Sequence, residues 1–76
     1  MLSVHLRPVG DDGGIGPALG TAFLRDGTVV YEGATMLANA IVAIAERFRI
    51  TETEALTRLA VDGWSNGKMV ITADAG

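Results

Sequence analysis

The chain has 76 residues, no cysteine and a net charge of −3. One small domain of this length buries only ~60% of the surface its unfolded chain exposes, and the missing cysteines exclude disulfides and thiolate metal sites, so self-association is the stabilising device left. The acidic balance and the lone Lys68 exclude a broad electrostatic grip on nucleic acid.

Residues 2–8 alternate as a strand, with Leu2, Val4 and Leu6 on one face and Ser3, His5 and Arg7 on the other. Pro8 ends it or puts it at a sheet edge. The start "MLSVHLRPVG" has no basic opening followed by an apolar run, which with the cysteine-free composition predicts a cytoplasmic protein. Residues 10–20, "GDDGGIGPALG", read as a mobile glycine-rich loop inside a single domain spanning 1–76.

Two β-prone runs, 20–25 and 28–32, flank Asp26-Gly27, the dipeptide that tolerates the positive φ angles of a tight hairpin. In the second run Val29 and Tyr31 share one face, and Thr28, Val30 and Glu32 the other. A helix is predicted over 34–48, with Leu37, Ile41, Ile44 and Phe48 as its apolar stripe. Ala38, Ala40, Val42, Ala43 and Ala45 make the middle of this helix apolar most of the way round, so it needs cover on more than one side. Its greasiest run, Ala40 to Ala45, falls well short of the ~18 residues of a membrane span.

A second helix is predicted over 52–63. Thr51 and Glu54 form a capping box, Gly63 closes the helix, and Trp64 folds back on Leu59. Asn66-Gly67 then turns the chain into a last strand at 68–72. These elements amount to an α+β fold, a small antiparallel sheet covered by two helices.

Chemistry-bearing groups are sparse. Gly14, Gly16 and Gly20 miss the dinucleotide fingerprint by one residue and precede a strand, so a connector is the better account. His5, Asp11 and Asp12 are donor types for a metal but too few and too local to define a site. Ser3 and Ser65 lack a nucleophile's surroundings, and of the carboxylates Glu52 and Glu54 the latter serves as a cap. No cofactor, metal or catalytic residue is predicted, and the protein reads as a non-enzyme.

The segment "AIAERFRITETEALTRLAVDGW", residues 43–64, resembles the two-helix part of ribbon-helix-helix proteins. Ile44-Ala45, Ile50-Thr51, Glu54-Ala55-Leu56, Arg58-Leu59 and Asp62-Gly63 stand in that family's order and spacing. The resemblance implies a homodimeric DNA-binding regulator or antitoxin, whose strand before the first helix pairs with its mate in the major groove. It would place Thr28, Val30, Arg47, Arg49 and Thr51 at DNA, with Arg49 at a turn position usually held by glycine. A strand offering Thr28, Val30 and Glu32 supplies none of the arginine, lysine, asparagine or glutamine that reads bases. The leading expectation is therefore a small regulatory protein acting as a homodimer that binds another macromolecule, a protein rather than DNA. Ile41, Ile44, Ala45 and Phe48 are its expected interface, and the DNA-binding regulator is the alternative.

Overall fold

A computed structural model describes residues 2–33 and 35–74. Five strands and two helices follow in the order β1 (Ser3–Pro8), β2 (Gly20–Arg25), β3 (Thr28–Gly33), α1 (Thr35–Phe48), α2 (Glu52–Asp62), β4 (Trp64–Ser65) and β5 (Met69–Asp74). The sheet is antiparallel, in spatial order β3-β2-β1-β5-β4. This is the α+β arrangement expected, with both helices on one face. The start predicted at Ala34 lies outside the described residues.

The β2–β3 hairpin turns where Asp26 and Gly27 have φ of 53° and 78°. Both angles are positive, as a two-residue turn matched to strand twist requires. Register then sorts the side chains. Val4 opposes Ala22, which opposes Tyr31, while Leu6 opposes Ile71. This face meets Leu37, Ile41 and Ala45 of α1 and Ala55, Leu56 and Leu59 of α2 in one core. On the opposite face Ser3, Phe23 and Val30 form one row, and His5, Thr21 and Glu32 the next.

Several expectations need correction. β1 is a central strand, so Pro8 marks its end and not a sheet edge. The glycine-rich stretch is a loop up to Leu19, as expected, and it carries its own bonds: Val9 bridges Ile15, Gly10 N–H donates to Gly14 O (2.8 Å) and Gly16 N–H to Pro8 O (2.9 Å). Only half of the capping box forms. Thr51 Oγ1 accepts from Glu54 N–H (3.1 Å), while the Glu54 carboxylate turns to Arg58 (3.5 Å), its partner one helical turn on. Trp64 does not merely cap α2. It begins β4 and pairs with Ile71, because Gly63 (φ 69°, ψ −179°) sends the chain straight from the helix into an extended strand.

α1 ends in a Schellman motif, with Ile50 N–H on Ala45 O (3.0 Å), Arg49 N–H on Glu46 O (3.4 Å) and Arg49 itself left-handed at φ 54°. An L side chain there is strained by ~1 kcal/mol or more. Arg49→Gly should therefore stabilise the fold by about 1 kcal/mol, read as a higher denaturation midpoint at unchanged slope. At the other end of α1, Gly33 (φ 86°) packs on Gly20, and a β-carbon there would stand 2.6 Å from Leu19 O. Gly33→Ala should cost about 2 kcal/mol or more in the same assay, since both the left-handed φ and the backbone contact oppose it.

Candidate interaction surface

α1 packs chiefly on α2 and β2, whereas α2 spans β5, β1, β3 and β2. The flank of α1 that faces β4 and β5 is left open as a cleft of about 480 Å³, within the ~300–1,000 Å³ range of ligand pockets. Met36, Ala40, Ile44 and Arg47, spaced by four, four and three residues on α1, form one wall. Trp64 and Asn66 form the other, and Leu6, Leu37, Leu59 and Ile71 of the core line the floor. A shallower depression beside it contains Phe48, Arg58, Asp62 and Gly63.

The four predicted interface residues divide. Ile41 (0% exposed) and Ala45 (8%) lie in the chain's own core, because α2 and the sheet together cover the Leu37-Ile41-Ala45 line of α1. Ile44 is half-buried at the cleft wall, and Phe48 is 52% exposed. Met36 and Trp64, 56% and 41% exposed, belong to this surface but were missed by sequence reasoning. Met36 falls on the same helical flank as Ala40 and Ile44, which was a legible signal; Trp64 depends on a strand too short to announce itself.

Charge collects around Phe48. The Arg47 guanidinium carbon lies 5.3 Å from its ring centroid and that of Arg58 5.5 Å, both within cation–π range. Arg58 is also paired with Glu54, but Arg47 has no carboxylate within ion-pair distance among the described residues. On the cleft's opposite wall, Asn66 Oδ1 accepts from Lys68 N–H (2.9 Å) and Met69 N–H (2.8 Å), which fixes the side chain and leaves its amide N–H groups to donate.

The five residues assigned to DNA by the ribbon-helix-helix resemblance do not converge. Thr28 and Val30 lie on the sheet face turned away from the helices, Arg47 lines the cleft, Arg49 occupies the interhelical turn, and the Thr51 hydroxyl is used as a helix cap.

His5 sits at the centre of the open sheet face. Its Nε2 lies 3.1 Å from Asp74 Oδ2 and 3.3 Å from Ser3 Oγ, and its Nδ1 lies 3.0 Å from Thr21 Oγ1. Serine and aspartate thus share one ring nitrogen, whereas a hydrolytic triad needs them on opposite nitrogens. Arg7 Nε donates to Thr72 Oγ1 (3.1 Å), a separate polar pair on the same face. Asp12 Oδ1 is occupied by Gly14 N–H at 2.9 Å, in a local turn.

At the hairpin, Tyr31 donates its hydroxyl to Glu52 Oε1 (2.5 Å), and Thr53 Oγ1 donates to Gly27 O (3.3 Å). Burial first, then the hydrogen bond to Glu52 and its negative charge, push the Tyr31 phenol well above its ordinary range. No protein-family model matches the chain, and no curated protein and no solved structure matches it. No described helix is long and apolar enough to cross a membrane.

Because the folded phenol is the harder one to ionise, the stability it contributes is complete below the ordinary tyrosine value of about 10 and is lost as pH rises above it. An ultraviolet titration should find Tyr31 ionising late. In Glu52→Gln it should ionise earlier but still above the free value, since burial remains.

Proposed function

We propose that the protein is a non-enzymatic regulatory or interaction protein, acting as a homodimer that presents a surface to another macromolecule. The observation that carries this reading is the apolar edge of α1 left uncovered by the chain's own core, with Ile44 half-buried and Phe48 52% exposed. Covering the exposed half of one phenylalanine removes ~100 Å² from water, on the order of 2 kcal/mol per subunit. In a two-fold dimer each such contact occurs twice.

A protein partner agrees with the surface better than DNA does. The cleft is apolar with one cationic group, and the net charge of −3 opposes a polyanion. The shared-nitrogen geometry at His5 speaks against acyl-transfer chemistry. Sedimentation velocity at micromolar concentration should give a dimer for the wild type and a monomer for Ile44→Glu and Phe48→Glu, with circular dichroism melts confirming that the variants fold. A monomeric wild type at tens of micromolar sinks the homodimer. A duplex titration run alongside should show no binding at low salt; tight binding that weakens steeply with salt would restore the DNA-binding alternative.

A further inference from the structure

We propose that the cleft captures the C-terminal end of a partner polypeptide that finishes on an apolar residue, with the α-carboxylate held by Arg47 and Asn66 and the last side chain seated against Met36, Ala40 and Trp64. This names the kind of macromolecule that the function proposed above leaves open, and it rests on that reading only in taking the partner to be a protein.

The two polar side chains that line the cleft are both donors. Arg47 brings a guanidinium without a carboxylate partner among the described residues. Asn66 has spent its oxygen on the N–H groups of Lys68 and Met69, so what it turns to a ligand is its NH₂. A planar, doubly accepting carboxylate is the group such a pair satisfies. The other side chains lining the cleft are apolar, so an anion without an apolar body would leave the floor wet, and an apolar body without an anion would leave the exposed Arg47 and Asn66 to water.

The position of β4 favours a peptide over a free acyl chain. A chain terminus carries its carboxylate and its side chain on a single carbon, which suits a site where charge and apolar floor lie side by side. β4 is also an edge strand, bonded to β5 on one side only. The residues preceding the terminus can therefore add to its free edge through main-chain hydrogen bonds. An acyl chain has no use for that edge.

Trp64 is the only tryptophan and lines the cleft, so its fluorescence reports occupancy directly. The probes are a short peptide ending in isoleucine with a free carboxylate, the same peptide amidated, and decanoate. The free acid should shift Trp64 emission to the blue and bind at least about tenfold more tightly than the amide, the loss expected when a charged hydrogen-bond partner is removed. Arg47→Gln should bring the acid down to the affinity of the amide. Asn66→Asp keeps the acceptor that holds the turn but replaces the donor with a negative charge, and should weaken the acid further. The acid–amide comparison on the wild type decides the matter alone: equal affinities, no binding at millimolar peptide, or a response to decanoate only overturns the proposal. Light scattering on the same samples keeps the two readings apart, since an acid-selective monomer refutes the homodimer and a dimer blind to the acid refutes the cleft.

Discussion

α2 reaches β5, β1, β3 and β2, and through Ala55, Leu56 and Leu59 it closes over Val4, Leu6 and Ile71. That contact organises the rest of the molecule. With the middle of the sheet taken by the shorter helix, α1 has to lean against α2 and β2, burying Leu37, Ile41 and Ala45 and leaving the flank beside β4 and β5 uncovered. The cleft is thus a geometric result of how the two helices share one face of the sheet. Its floor consists of core residues because nothing else lies beneath that flank.

The lean is fixed by a few backbone positions. The left-handed turn at Arg49 sets the angle between the helices, Gly63 releases the chain into β4, and Gly33 lets α1 begin close against β2. Two of the three are glycines and carry little strain. Arg49 is the exception, and the Schellman bonds around it hold the arginine in a conformation that glycine takes freely. The interhelical turn therefore stores energy at the junction of the elements that shape the surface.

Local chemistry made most of the fold legible in the sequence. Asp26-Gly27 announced the hairpin, Thr51 and Gly63 bracketed α2, and strict alternation placed Val4 and Leu6 inward together. What stayed hidden depends on partners distant along the chain. Whether Ile41 or Ile44 faces the core is decided by where α2 lies, which no period within α1 encodes. β4 is two residues long and exists because Ile71 and Val70 stand opposite. The His5 network joins residues 3, 5, 21 and 74, and only the register of three strands brings them together. Of the surface, the Ile44–Phe48 edge was readable, while Trp64 and Asn66 needed the turn that sets them across from α1.

The β2–β3 hairpin is tied to the start of α2 by two hydroxyl donors, Tyr31 of β3 to the Glu52 carboxylate and Thr53 to the Gly27 carbonyl at the turn. Neither link joins two opposite full charges, so dissolved ions have little to screen in them. At the far end of α1, by contrast, the guanidinium of Arg47 lies open to solvent and feels every change in ionic strength. Brine and dilute buffer should leave the join between ribbon and rod equally firm, and act instead on exposed charges such as Arg47 and the Arg58–Glu54 pair.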